Sequence, residues 1–198
     1  MTRCAIVIVD TGPLKTLAYA GKLDLLLKPG IPVFLSDMVI QELNDSRQHR
    51  GNDLALAFIS IHMGKGINEI VTGVPAIADD LRRLKVDPGD ESIRRAIVQY
   101  HAVGTNADSV DEEFALLVSE DILMMMTADK RGNTYLMTTR PFLMEARKRG
   151  WITEDVEDLM HKAEAAALES GEEAGRGQLT RKVEFNDPPR SNSTLKPF

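Results

Sequence analysis

The sequence predicts a three-layer α/β/α domain with a central, mainly parallel sheet. Short, continuously apolar segments rich in β-branched residues, such as CAIVIVD and GIPVFLS, are typical of strands buried on both faces of a parallel sheet. Longer segments with apolar residues at helical spacing lie between these strands. Because strands alternate with helices, the pattern favours a parallel sheet with helices on both faces.

The first half of the chain predicts three strands and four helices. The strand CAIVIVD precedes a helix over TGPLKTLAYAGKLDLL, for which Thr11 is the expected N-cap. The strand GIPVFLS leads into a helix over SDMVIQELND that is capped by Ser36 or Asp37. A helix over NDLALAFISIHMGKG, the short strand INEIVTG and a helix over AIADDLRRLKV follow, and DPG ends the last of these.

The second half predicts the rest of the sheet and the closing helices. Acids in the first turn favour helices over GDESIRRAIVQYHAVG and SVDEEFALLVSED. The apolar segment ILMMMTAD is expected to be the fourth strand, and TYLMTT a short fifth strand. Helices over RPFLMEARKRGW and TEDVEDLMHKAEAAALES complete the domain.

Composition suggests one domain with a C-terminal tail and limits the function classes. We expect a domain over residues 1–165 and a flexible tail over 166–198, since the chain becomes polar and rich in Gly and Pro from about Gly171. A net charge of −6 argues against a binder that uses a broad basic surface. The single cysteine, Cys4, and the lack of a signal-like or membrane-spanning apolar run predict a cytoplasmic protein without a membrane span.

Three acids are expected to converge at the carboxyl edge of the sheet, where ligand sites of open α/β sheets lie. Asp10 and Asp129 each end an apolar strand. Glu42 follows Met38 by four residues and Val39 by three, so it lies on the apolar side of its helix. A glutamate on that side needs a partner, and a cation shared with Asp10 would supply one.

A fourth acid has two competing positions. Asp90 and Asp111 each lie in the first turn of a predicted helix beside an apolar stripe. Asp90 begins the longer helix, whereas Asp111 lies in the segment that leads to the Asp129 strand. The residues alone leave both positions open.

Carboxylates without nearby cysteine or histidine indicate a particular kind of ligand. They are hard oxygen donors that suit Mg²⁺ or Mn²⁺ better than Zn²⁺. Converging carboxylates repel one another unless a cation lies between them. Two such cations, about 3.5–4 Å apart, would support attack of water on a phosphodiester.

These acids lie in motifs that resemble a known family. VIVDTGPL, LSDMVIQEL, DPGDESIRRAI and MMMTADKRGN resemble, in order, the acidic motifs of PIN-domain ribonucleases. LMTTRPFLMEARKRGWI resembles the end of the VapC-like branch, and the likeness spans about residues 4–160. The extra segment GTNADSVDEEF departs from compact members, which is why Asp111 competes with Asp90.

The resemblance implies a PIN-like fold and a metal-dependent endoribonuclease that prefers single-stranded RNA. It implies Mg²⁺ or Mn²⁺ ligands at Asp10, Glu42, Asp90 and Asp129, with Glu91 as an alternative to Asp90. Thr11 and Thr127 match hydroxyl positions beside the acids.

The same resemblance implies biological partners. Bacterial members are often toxins that an antitoxin protein holds inactive, and they commonly form homodimers. A catalytically degenerate module that binds RNA or a protein is the alternative function. A receiver-like or phosphatase-like domain, in which Asp10 and Mg²⁺ serve phosphoryl transfer with Thr127 and Lys130, is a more distant one.

Overall fold

The computed structural model describes residues 3–104, 113–121 and 134–171, and within them it confirms the α/β/α prediction. The strands are β1 (Arg3–Val9), β2 (Val33–Ser36), β3 (Ile67–Ile70), β4 (Glu113–Val118) and β5 (Thr134–Met137). The helices are α1 (Thr11–Ala20), α2 (Asp37–Asp45), α3 (Arg50–His62), α4 (Ala78–Arg83), α5 (Pro88–Gly104), α6 (Thr139–Lys148) and α7 (Val156–Glu169). All strand pairs between these five strands are parallel.

The strand order determines where a ligand site is expected. The five strands lie in the order β3-β2-β1-β4-β5, so β1 is central and pairs with both β2 and β4. The chain therefore builds one side of the sheet first and then crosses β1 to build the other side. In open parallel sheets, ligands bind outside the carboxyl ends of the strands at this change of direction. The carboxyl ends of β1 and β4 lie at this change of direction in the strand order.

The core explains why the strands have no polar alternation. Ile8 and Val9 of β1 and Leu117 and Val118 of β4 are fully buried, because helices cover both faces of the sheet. The buried strands and the inner faces of the helices form one main apolar cluster. This core holds the carboxyl edge in a rigid position.

The first helix differs from its prediction at both ends. Its N-cap is Asp10 and not Thr11, because the Asp10 carboxylate accepts a hydrogen bond from the Thr11 backbone N–H. The helix ends at Ala20 because Gly21 takes the left-handed conformation, with φ of 67°, and donates to carbonyls of the last turn. The remaining LDLL segment forms a separate 3₁₀ helix, Leu23–Leu26.

The prediction of a helix over SVDEEFALLVSED is wrong for Glu113–Val118, which form β4. The last five residues of β4 are the consecutive apolar residues FALLV. A helix would turn some of them to solvent, whereas a strand between β1 and β5 lets Ala115–Val118 be buried from both sides. The strand predicted over ILMMMTAD lies outside the described residues, whereas the short fifth strand is confirmed as β5.

The C-terminal part of the described chain is helical. The helix α7 runs through Glu169 and therefore crosses the predicted domain boundary between residues 165 and 166. Residues 172–198, which make up most of the predicted tail, lie outside the described residues. Over the ranges that the structure describes, we find no helix with the length and apolar character needed to cross a membrane.

Candidate functional site

The carboxyl ends of β1 and β4 bring two acidic segments together. Asp10 follows β1, and its backbone N–H donates to the carbonyl of Val118, the last residue of β4, at 3.0 Å. Ser119, Glu120 and Asp121 follow β4 directly. Five carboxylates within electrostatic reach of one another at this edge form what we call the carboxylate cluster: Asp10, Glu42, Asp87, Asp90 and Asp121.

Asp10 is held by two donors yet has an unfavourable electrostatic environment. Its Oδ1 accepts from the Thr11 backbone N–H at 2.6 Å, and its Oδ2 accepts from the Ser119 hydroxyl at 2.8 Å. Burial nevertheless raises the pKa of Asp10, and the charges of Asp121 and Asp87 raise it further. The carboxylate is therefore oriented by two neutral donors, whose hydrogen bonds offset only part of the effect of burial.

Ser119 connects the two strand ends. It is fully buried; its hydroxyl donates to Asp10 and accepts from the Asp121 backbone N–H at 3.1 Å. Sequence reasoning missed both Ser119 and Asp121. The signal was present, because FALLVSED repeats the pattern of VIVD, in which an apolar strand ends in an acid. The helix prediction for this segment concealed it.

Glu42 joins the cluster from α2. Its Oε2 accepts a hydrogen bond from the Thr11 hydroxyl at 2.7 Å, and its side chain is partly buried. Burial raises the pKa of Glu42 most; the Thr11 hydroxyl opposes this effect, and the charge of Asp10 adds to it. The structure therefore brings Glu42 and Asp10 together as predicted, with Thr11 between them.

Asp87 and Asp90 extend the cluster at the start of α5. The Asp87 Oδ1 accepts from the backbone N–H groups of Gly89, at 2.8 Å, and Asp90, at 3.2 Å. Burial, followed by the charges of Asp87, Asp121, Asp10 and Glu42, raises the pKa of Asp90 to about 7. Asp87 was not among the predicted site residues, because DPG indicated only a helix boundary.

Glu91, the alternative to Asp90, has different partners. Its carboxylate accepts hydrogen bonds from Arg94 and from Arg95, the latter at 2.9 Å. Although burial raises the pKa of Glu91, these two guanidinium groups outweigh burial and hold it below its usual range. Of the two neighbours, Asp90 is the one that lies in the carboxylate cluster.

Several predicted positions lie outside the described residues. These are Asp111, Asp129, Thr127 and Lys130. The fourth-ligand question is therefore answered only in part: Asp90 lies with Asp10 and Glu42, and the competing Asp111 is not described. Asp121, which follows the strand beside β1, now occupies the kind of position that we expected for Asp129.

Two other acids at the same edge stabilise the backbone instead. Asp37 accepts from the backbone N–H groups of Thr72, at 2.9 Å, and Gly73, at 3.0 Å. Glu120 accepts from the backbone N–H of Thr139 at 2.9 Å, which ties the end of β4 to the start of α6. An acid at this edge is therefore not by itself a candidate ligand.

The chemistry of the cluster fits a hard divalent cation. Its donors are carboxylate oxygens with hydroxyls beside them, and the cluster contains no histidine or cysteine. Burial, followed by repulsion from neighbouring carboxylates, raises the pKa values of Asp10, Glu42 and Asp90, and a cation would counter both effects. Within residues 3–104, 113–121 and 134–171, no three acidic, histidine or cysteine side chains already stand in a metal-binding arrangement.

Comparison with known proteins assigns no family. No protein-family model matches the chain, and no curated protein matches it significantly. The likeness to PIN-domain ribonucleases therefore depends on the motifs quoted above.

Proposed function

We propose that the protein is a metal-dependent endoribonuclease that hydrolyses phosphodiester bonds of single-stranded RNA. The observation that supports this function best is the convergence of Asp10, Glu42 and Asp90 at one edge of the sheet. The pKa of each of these carboxyls is raised, with burial as the largest cause. Acids with raised pKa values that lie in one cluster are more frequent at functional sites than elsewhere.

Mg²⁺ or Mn²⁺ is the proposed cofactor. Asp10, Glu42 and Asp90 would hold it, and Asp121 is the further described carboxylate within reach. When bound, the cation would activate water and stabilise charge on the leaving oxygen.

The residues around these acids orient them. Ser119 and the Thr11 backbone N–H each hold one oxygen of Asp10, and the Thr11 hydroxyl holds Glu42. Groups that orient metal ligands in this way affect both the affinity for the metal and the geometry of the ligands. Thr11 therefore acts on two proposed ligands, through its backbone and through its side chain.

The choice of RNA as substrate depends on the motif resemblance. The same resemblance supports a toxin role, an antitoxin partner and a homodimer as parts of the proposal. The proposed cytoplasmic location depends instead on the single cysteine and on the sequence pattern. Arg82 lies close enough to Glu42 for its charge to lower the pKa of that carboxyl. Among the residues that the structure describes, it is therefore one basic side chain that we expect near a bound RNA backbone.

The test is cleavage of labelled single-stranded RNA by the purified chain, with Mg²⁺ or Mn²⁺ and with EDTA. We expect cleavage only with the cation, and its loss in Asp10→Asn. Duplex RNA and single-stranded DNA of the same sequence serve as substrate controls. Cleavage in EDTA, or full activity of Asp10→Asn, would contradict the metal mechanism. RNA binding without cleavage would favour the degenerate module instead.

A further inference from the structure

A buried pair of serines links the two helices that carry proposed ligands. Ser36 is the last residue of β2 and the N-cap of α2, and Ser92 lies in the first turn of α5. Their hydroxyl oxygens are 2.8 Å apart, and the two residues are 1% and 0% exposed. Buried hydroxyls need partners, so the direction of each hydrogen bond can be worked out.

The hydrogen bonds form one directed chain. The Ser92 hydroxyl donates to the Gly89 carbonyl at 2.7 Å, because a carbonyl can only accept. Ser92 has no second hydrogen, so the Ser36 hydroxyl must donate to Ser92. The Ser36 oxygen in turn accepts from the Val39 backbone N–H at 3.2 Å. The chain therefore runs from Val39 through both serines to Gly89.

Both ends of this chain lie next to the carboxylate cluster. Val39 precedes Glu42 by three residues on α2, and Gly89 directly precedes Asp90 on α5. The two helices also meet at this point, because a Cβ on Gly89 would lie 2.8 Å from Glu42 Oε1. Any shift of α5 against α2 would therefore change the separation of Glu42 and Asp90.

We propose that Ser36 and Ser92 are positioning residues that fix the distance between the Glu42 and Asp90 carboxylates. The inference rests on the proposed metal-dependent function. Like charges that share a site repel each other, so the helices carrying them need a direct link to keep them close. The hydrogen bond between the Ser36 and Ser92 hydroxyls supplies that link, and it uses none of the carboxylate oxygens of Glu42 and Asp90.

The first test is Mn²⁺ binding to Ser92→Ala, followed through the electron paramagnetic resonance signal of free Mn²⁺. Loss of groups that orient metal ligands lowers affinity by roughly 10- to 100-fold, and we expect a loss in that range. Wild-type affinity in folded Ser92→Ala would overturn the inference. If the wild-type chain bound no Mn²⁺, the proposed function itself would fail, which distinguishes the two ideas.

The matched control is Tyr19→Phe. Its hydroxyl is 2.6 Å from the Ser170 hydroxyl, so it too forms a hydroxyl pair between helices, here α1 and the end of α7. We expect Tyr19→Phe to lower the melting temperature without changing Mn²⁺ affinity. An equal loss of affinity in both variants would show a general loosening of the fold and would overturn the specific role of the serine pair.

The double variant Ser36→Ala/Ser92→Ala separates positioning from stability. Ser36→Ala also removes the N-cap of α2, because the Val39 backbone N–H loses its acceptor, and the loss of such a cap lowers stability. We therefore expect the double variant to melt lower than Ser92→Ala but to bind Mn²⁺ no more weakly, because Ser92→Ala alone already breaks the link between the two helices. Recovery of wild-type affinity in the double variant would overturn the inference.

Discussion

The first turn of α5 carries two adjacent carboxylates in opposite surroundings. Glu91 lies between Arg94 and Arg95, and these guanidinium groups hold its pKa below the usual range against the effect of burial. Asp90 faces Asp10, Glu42, Asp87 and Asp121, and burial together with these charges raises its pKa to about 7. The fold thus places guanidinium groups around one carboxylate and further carboxylates around the other.

This difference separates a structural acid from a candidate functional acid. A carboxylate that the fold needs for stability has its donors in place, as Asp37 also does at the end of β2. A carboxylate that binds an added cation is stabilised as an anion by that cation, and without the cation burial and neighbouring charges favour its protonated form. Four experiments on three variants would break or sharpen this contrast.

The largest effect is expected from Asp90→Asn on RNA cleavage. Loss of a direct ligand should exceed the roughly 100-fold reached by losing an orienting group. Glu91→Gln is the control, and we expect its activity per folded molecule to stay within about twofold of the wild type, since the Glu91 carboxylate is bound by Arg94 and Arg95. Initial rates at saturating Mg²⁺ measure both. Equal losses of cleavage rate in Asp90→Asn and Glu91→Gln would contradict the distinction between a functional Asp90 and a structural Glu91.

Glu91→Gln should instead act on stability. The Glu91 side chain is only 10% exposed, and its loss would leave Arg94 and Arg95 without their shared partner. Because both arginines reach solvent, we expect the free energy of unfolding to fall by about 1–2 kcal/mol. Urea denaturation in EDTA checks this value. A variant as stable as the wild type would mean that the ion pair contributes nothing.

Gly89→Ala should lower Mn²⁺ affinity without lowering stability. The added Cβ would lie 2.8 Å from Glu42 Oε1, so the carboxylate must move. Alanine in a helix is also favoured over glycine by about 0.5–1 kcal/mol, which offsets the strain. We expect about tenfold weaker Mn²⁺ binding, equivalent to about 1.4 kcal/mol. Calorimetric titration measures this affinity, and an unchanged value would contradict the need for the Glu42 carboxylate to stay in its present position.

The smallest effect is a change in the pH dependence of stability in EDTA. A carboxyl whose folded pKa is raised favours the folded state at low pH, and this contribution disappears as pH rises to about 7. Asp90→Asn removes the group, so its stability relative to the wild type should increase between pH 4 and pH 7. We expect a gain of about 1 kcal/mol after allowing for solvent screening. A constant difference across this range would contradict the raised pKa.

The sequence predicts four of the five described strands and assigns the remaining one, β4, to a helix. β1 and β2 were recognisable because each is a short apolar run next to a clear helix boundary. β4 was not, because acids before FALLV are equally typical of a helix N-terminus. Only pairing with β1 and β5, which depends on the whole fold, decides between the two structures.

The site was predictable where the acid ends a strand or follows an apolar helix face. Asp10 and Glu42 satisfied those rules, whereas the residues alone left Asp90 open against Asp111 and only the motif resemblance favoured it. Asp121 was missed together with its strand, and Ser92 has no sequence signal, because its role depends on a residue 56 positions away. Such partners are found only when the helices are placed against each other.

The hydrogen bond from Ser119 to Asp10 joins residues that are 109 positions apart. A chain emerging from the ribosome therefore presents Asp10 long before the residue that orients it exists. Contacts between distant segments form only after the loop between them has closed, which makes their formation slow. The carboxylate cluster is consequently a property of the completed fold, and an unfinished chain that ends before β4 would lack it.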